Sequence, residues 1–207
     1  MDYEELVKMD VCERITISLL KRLNKYYNMD EYDMEYIFLG LYLIAELVTK
    51  SCLLLITSMI FGLTKEVFIM TIMFLLIRFF SSGIHMKSSI SCTIISLIFY
   101  LGGSFIAERL LLSNNICLII LVILGSIIVK YSPADTEKRP ILGAEKRKAL
   151  QLRSGIVTAL IIIFNILLGS NIVFRLTTVV FLVQMISVIP ITYKVMKENY
   201  NNYLNYE

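Results

Sequence analysis

The chain has 207 residues, 57% of them hydrophobic, and a mean hydropathy of +0.73. A soluble domain of this length is nearer half apolar, and here the excess is gathered into runs, which excludes a water-soluble globule and indicates an integral membrane protein. A net charge of +3 is too small to suggest a nucleic-acid partner. One histidine and four scattered cysteines give no metal-ligand spacing, so neither a metal nor a cofactor is expected.

Residues Glu4 to Tyr27 read as an amphipathic helix. At about 100° per residue, Cys12, Ile15, Leu19, Leu23 and Tyr26 share one face, with Asp10, Arg14, Lys21 and Lys25 opposite. Such a helix lies in the membrane interface or docks on the rest of the protein, and both can hold together. The first thirty-five residues lack an apolar core followed by a small-residue cleavage site, so no signal peptide is expected.

Six apolar segments follow: Tyr36 to Phe61, Val67 to Phe80, Ile90 to Leu112, Ile116 to Val129, Ile156 to Leu168, and Ile172 to Ile191. A helix needs roughly 20 residues to cross the hydrocarbon layer, so the second, fourth and fifth must draw on flanking residues or cross incompletely. Gly62, Gly83, Asn114-Asn115, Pro133 and Gly169-Ser170 mark the joins. The expected fold is all-α: a polytopic protein with six transmembrane helices and an N-terminal amphipathic interfacial helix. It forms a single membrane domain over 1–207, with the amphipathic helix in 1–30 and the six-helix region over 36–196.

Basic residues set the orientation. They gather before the first segment (Lys8, Arg14, Lys21, Arg22, Lys25), between the fourth and fifth (Lys138, Arg139, Lys146, Arg147, Lys148, Arg153), and after the sixth (Lys194, Lys197). The intervening loops are nearly bare, with Lys65 in one and Arg109 beside another. Six crossings put all three basic regions on one side, the cytoplasm, so both termini of this cell-membrane protein are expected there. The joint between the second and third segments then faces the same side.

That joint carries the chemistry. It reads Arg78-Phe79-Phe80-Ser81-Ser82-Gly83-Ile84-His85-Met86-Lys87-Ser88-Ser89-Ile90-Ser91-Cys92 and holds the chain's lone histidine. A thiolate is the nucleophile, and a free thiol with a pKa of about 8.5 needs help near neutral pH. A neighbouring imidazole can take the proton, and a helix N-terminus can stabilise the anion. Ser88 or Ser89 suits the N-cap of the third segment, with Cys92 in its first turn. On one unbroken helix the two side chains would lie about 10.5 Å apart along the axis, with His85 leaning away from Cys92. A catalytic pair therefore requires a break, expected within Met86 to Ser89, with Gly83 allowing a turn just before. The alternative is a polar interfacial histidine and a cysteine acting as a small core hydrophobe.

Arg78, Gly83, His85 and Cys92 follow Arg-x4-Gly-x-His-x6-Cys, which resembles the pattern of the AgrB family of membrane cysteine endopeptidases that process the quorum-sensing propeptide AgrD. Tyr131-Ser132-Pro133-Ala134-Asp135-Thr136-Glu137-Lys138-Arg139-Pro140-Ile141 resembles the family's stretch after the fourth segment, followed by its basic loop. Length and six segments fit as well, so the resemblance covers nearly the whole chain. The chain departs from the family at Ser82, where members often carry a second glycine, and at Met86, where they carry a small residue. The resemblance implies Cys92 as nucleophile and His85 as general base. It implies an AgrD-like propeptide as substrate, cut near its C-terminal part and closed into a thiolactone or lactone ring through an acyl-enzyme thioester. It also implies a homodimer in the lipid membrane.

Arg78 is open between an interfacial anchor and a part in orienting the substrate or the turn. Gly83 serves backbone geometry. Glu46 and Lys50, four apart in the first segment, either neutralise each other so that the helix can insert or line a cavity open to substrate. The run Lys146-Arg147-Lys148 either marks the cytoplasmic side or also holds an acidic stretch of substrate. Arg175 is expected to snorkel outward, and Asn165 and Gln184 to make interhelical hydrogen bonds. A different class of function, a carrier or exporter with Glu46, Lys50, Arg78 and His85 along its path, would survive loss of Cys92; an endopeptidase would not.

Overall fold

The computed structural model describes residues 11–27, 30–84, 88–137, 140–168 and 170–206. His85, Lys138 and Arg139 lie outside the described residues, as does the 4–10 part of the expected amphipathic helix. The described chain is helical, without a β-strand. It divides into two compact units, Met1–Ile60 and Phe61–Glu207.

The N-terminal unit packs α1 (Val11–Tyr27) against α2 (Glu31–Ile60). Asp30 caps α2 by accepting the Asp33 N–H at 2.7 Å, which extends the helix five residues ahead of the first apolar segment. Cys12 and Thr16 are the buried positions of α1, and the Cys12 thiol faces Thr49 Oγ1 at 3.7 Å. Ile15, Leu19 and Tyr26 of the expected apolar face are exposed. The buried stripe is thus narrower than the apolar one, which leaves apolar surface on α1 unpaired within the unit. On α2, Leu39, Leu47, Ile56 and Met59 are exposed in the same way. An apolar surface this continuous on a long helix belongs in lipid rather than in water.

The larger unit contains α3 (Thr64–Ser81), α4 (Ser89–Arg109), α5 (Asn114–Tyr131), α6 (Ala144–Leu168), α7 (Asn171–Val188) and the short α8 (Pro190–Val195). Helix α7 packs on α3, α4 and α5, and α6 packs on α3 and α5. Its buried centre includes Met70, Ile77, Leu121, Ile128, Leu176, Val180 and Phe181. Small residues bring the helices close. A Cβ added to Gly125 would sit 2.8 Å from Thr158 Cγ2, and one on Gly103 would sit 3.0 Å from both Met70 Cε and Val179 Cγ1. Helix α4 relaxes to π-helical winding over Ile98–Gly102, beside the Phe74, Phe99 and Tyr100 rings.

Hydroxyls in these helices turn back on their own turns. Thr71 bonds the Val67 carbonyl, Thr93 the Ser89 carbonyl and Ser126 the Val122 carbonyl. Lipid offers no partner, so a polar group must be satisfied within the protein. Two expected interhelical bonds form: Thr177 Oγ1 donates to Asn165 Oδ1 at 3.1 Å, and the Gln184 amide reaches across to α3. The Arg175 guanidinium faces the Ala107 and Glu108 carbonyls at 3.4 Å, at the negative end of α4.

Among the described residues, five helices are long and apolar enough to cross a membrane: Tyr32–Ile60, Ser89–Arg109, Asn114–Tyr131, Ala144–Leu167 and Asn171–Val188. Helix α3, with Lys65, Glu66 and Arg78 among its 18 residues, is not among them. Three boundaries differ from the sequence reading. Asn114-Asn115, expected as a join, opens α5. The fifth segment starts at Ala144, so the basic run supplies the helical turns that the apolar stretch lacks. The sixth ends at Val188, because Pro190 forces Ile189 into an extended conformation and then opens α8.

Candidate functional site

The chain breaks where a Cys–His pair would need it to break. Helix α3 ends at Ser81 and α4 begins at Ser89, so no continuous helix joins Phe80 to Cys92. The break opens earlier than expected, at Ser82, and closes at Ser88, which is extended and stands at the N-cap. Ser88 makes no side-chain capping bond; it contributes its carbonyl, which accepts the Cys92 N–H at 3.0 Å. Cys92 therefore sits in the first turn of α4, half-buried, near the positive end of the helix dipole.

Residues 82–84 have no helix or strand of their own, and neighbours hold them. Ser82 has φ +55 and Gly83 φ +125, both in the region that favours glycine. Arg78, in the last turn of α3, folds its guanidinium back over the loop. Its Nη1 donates to Ser187 Oγ at 2.7 Å, and its Nη2 donates to the Gly83 carbonyl at 3.3 Å and to the Ile84 carbonyl. One cation thus gathers two loop carbonyls and α7, near a helix C-terminus where positive charge is favoured. Gly83 is buried beneath it. A Cβ there would lie 2.5 Å from Arg78 Nη1 and 2.7 Å from Ser187 Oγ.

The ends of two other helices complete the cradle. Pro190 stops α7, which leaves late carbonyls without helical partners; that of Ser187 accepts the Ile84 N–H at 2.9 Å. Gln184, fully buried, donates to Ser81 Oγ at 2.5 Å and to the Ser82 carbonyl at 2.9 Å. After α5, the segment from Ser132, with a cis peptide before Pro133, runs alongside the loop. Ser82 and Ala134 form a parallel β-bridge: the Ala134 N–H donates to the Ser81 carbonyl at 3.1 Å, and the Gly83 N–H donates to the Ala134 carbonyl at 2.9 Å. The two stretches that carried the family resemblance meet here.

The Arg78 guanidinium is close enough to Cys92, Tyr100 and Tyr193 to interact electrostatically with each. Burial raises the Tyr193 and Tyr200 phenols above the ordinary tyrosine value, so both stay neutral. Arg78, Gly83 and Cys92 thus belong to one end of the larger unit. Of the other candidates, Glu46 and Lys50 belong to the N-terminal unit and form an ion pair at 2.7 Å. In the first turns of α6, Lys146 and Lys148 are exposed, while Arg147 donates to the Ile141 carbonyl at 3.1 Å and stacks on the Tyr203 ring at 3.8 Å. Among the described residues, no group of three or more acidic, cysteine or histidine side chains could hold a metal ion. A groove between α5 and α6, lined by Val122, Ser126, Lys130 and Thr158 among others, contains none of the cradle residues.

Sequence reasoning gave Ser187 no part and held Ala134 only as one residue of the family-like stretch; Ala134 acts through its backbone, and Ser187 through both its hydroxyl and its carbonyl. Sequence reasoning marked Gln184 only as an intramembrane amide, and it passed over Pro190, the one signal that α7 ends with carbonyls to offer.

A family model described as accessory gene regulator B matches residues 12–188. An AgrB-like protein of Clostridium acetobutylicum is 30% identical over 200 residues, covering 97% of this chain and 96% of its own length. An AgrB-like protein of Listeria monocytogenes is 33% identical over 171 residues, covering 81% and 82%. One from Listeria welshimeri is 28% identical over 201 residues, covering 97% and 98%. No solved structure matches the chain.

Proposed function

Since the chain belongs to the accessory gene regulator B family, and so takes part in agr quorum sensing, we propose that it is the membrane cysteine endopeptidase and cyclase of an AgrD-like propeptide. The observation that carries the reading is the break between α3 and α4. It starts Cys92 on a fresh helix and bends the preceding loop through Gly83, two residues before His85.

In this reading His85 takes the thiol proton of Cys92. The thiolate attacks a peptide carbonyl near the C-terminal part of the propeptide. Backbone N–H groups at the start of α4 face the developing oxyanion. As the C–N bond breaks, His85 returns the proton to the leaving amine, and the N-terminal part stays on Cys92 as a thioester. A cysteine thiol or serine hydroxyl within that part then attacks the thioester carbonyl. The new S–C or O–C bond closes the ring, and the attacking group's proton passes through His85 to Cys92. Ring closure outruns hydrolysis because the nucleophile is tethered and the site is partly dry.

The reading includes six crossings, with α3 as the sixth. Its charges sit at its ends, Lys65 and Glu66 in the first turn and Arg78 in the last, leaving Val67 to Ile77 uncharged. Its 18 residues span about 27 Å. Its C-terminal end meets those of α5 and α7 through Ala134, Gln184 and Ser187. That end carries the basic α5–α6 connection and is assigned to the cytoplasm, as are both termini. The homodimer rests on the family resemblance alone. Replacement of Cys92 by Ala tests the assignment: a co-expressed AgrD-like propeptide should stay uncut while the variant inserts and accumulates normally. Unimpaired cleavage by that variant would remove the reading in favour of a carrier.

A further inference from the structure

Asp135 is a carboxylate almost wholly withdrawn from water, at 4% exposure. Two backbone N–H groups of the C-terminal tail hold it: Asn202 N–H donates to Oδ1 at 2.9 Å and Tyr203 N–H to Oδ2 at 2.8 Å. A buried charge persists only when its oxygens are bonded in this way. The tail has further holds on the same end of the unit. Tyr203 carries Arg147 on its ring, the Tyr200 hydroxyl donates to the Tyr131 carbonyl at 3.4 Å, and Tyr200 meets Tyr193 edge-on with ring centroids 5.1 Å apart.

One residue before Asp135, both backbone polar groups of Ala134 are committed to the turn, to Ser81 on one side and Gly83 on the other. Three links therefore run from the tail to a loop whose two consecutive positive-φ residues depend on outside support: tail amides to Asp135, Asp135 to Ala134, Ala134 to Gly83. We propose that Asp135 is a positioning residue: by anchoring the C-terminal tail it fixes the Ser132–Asp135 segment against Ser81 and Gly83, and so sets the place from which His85 meets Cys92. Asp135 touches no reacting atom, and its role rests on the His85–Cys92 reading above. The tail is then part of the working enzyme rather than a polar appendage.

The test uses the full chain in lipid nanodiscs, with Asp135→Ala, Asp135→Asn, His85→Ala, and a chain ending at Asn199, which lacks Tyr200, Asn202 and Tyr203. Two readouts are taken: amide exchange of the peptide containing Gly83 and Ile84, and the pH–rate profile of Cys92 alkylation by iodoacetamide, followed by mass spectrometry. In Asp135→Ala and in the shortened chain, exchange at Gly83–Ile84 should accelerate by about tenfold or more, as loss of one charge-assisted bond implies. The alkylation profile should move toward that of His85→Ala. Asp135→Asn, which keeps one acceptor oxygen, should fall between. Wild-type exchange at Gly83–Ile84 in both Asp135→Ala and the shortened chain would overturn the proposal. If Asp135→Ala does not fold, the shortened chain, with every bundle helix intact, decides by the same exchange rate. If His85→Ala leaves the alkylation profile unchanged, the dyad reading falls, while the exchange measurement still decides whether the tail holds the loop.

Discussion

Replacing Gly83 by Ala is the smallest change that attacks the loop directly. The added Cβ would lie 2.5 Å from Arg78 Nη1, 2.7 Å from Ser187 Oγ and 3.0 Å from the Ser187 carbonyl. Real Cβ atoms do not tolerate the first two distances, so the Arg78–Ser187 bond must open, at about 1.5–3 kcal/mol for a charge-assisted bond. A φ of +125° adds about 1–3 kcal/mol for any residue with a side chain. Together these give about 2.5–6 kcal/mol, or a native loop population lower by about 10²- to 10⁴-fold. The same cost weakens the packing of Gly83 against Arg78 and Ser187, so the thermal midpoint of the purified protein should fall together with the activity. The assay is the amount of cyclised product, by mass spectrometry, from a co-expressed AgrD-like propeptide at matched enzyme levels. Wild-type product with a wild-type midpoint would mean that the contacts around Gly83 do not constrain the chemistry.

Other substitutions grade the same cradle. Arg78→Lys keeps the charge but loses the fork that reaches α7 and two loop carbonyls at once, so product should fall by about tenfold or more with helicity unchanged. Ser82→Gly relieves a side-chain residue at φ +55 and should raise stability by about 1 kcal/mol in denaturation measurements, with full product formation. Gln184→Leu removes bonds to Ser81 and Ser82 and should destabilise the protein by about 1–3 kcal/mol, seen as a lower thermal midpoint. Asn165→Leu removes the α6–α7 bond to Thr177, worth about 0.6 kcal/mol, and the Asn165 bond to the Ile161 carbonyl of its own helix, and should leave product formation near wild type.

Helix content and the six apolar stretches were readable because their compositions leave few alternatives in lipid. The limits of the helices were less so. Ala144 to Arg153 reads as a charged loop, yet it winds into α6, since charged residues at a helix end meet water and cost little there. Pro190 is the converse: a single residue whose missing N–H and steric demand on Ile189 end α7 within an apolar run. A break before Cys92 was expected only on the condition that Cys92 pairs with His85, because seven residues on one helix would hold the two side chains apart. The identity of its supports did not follow. Arg78 was open between anchor and orienting group, and its bonds to Gly83, Ile84 and Ser187 could be seen only in three dimensions. Ala134 acts through its backbone, and the tail amides that bond Asp135 lie 67 and 68 residues away in sequence. Side-chain identity encodes none of these pairings.

The proposed chemistry requires that Cys92 form a covalent acyl link with the propeptide. Intact-protein and peptide-level mass spectrometry can detect that link on enzyme quenched in acid during turnover. The propeptide used should have its internal cysteine or serine replaced by alanine, so that the ring cannot close. A hydroxylamine-labile adduct of the propeptide's N-terminal portion is expected on the peptide containing Cys92, absent in Cys92→Ala and much reduced in His85→Ala. Cleavage of that propeptide with no adduct on Cys92, or an adduct that persists in Cys92→Ala, would contradict the thioester mechanism.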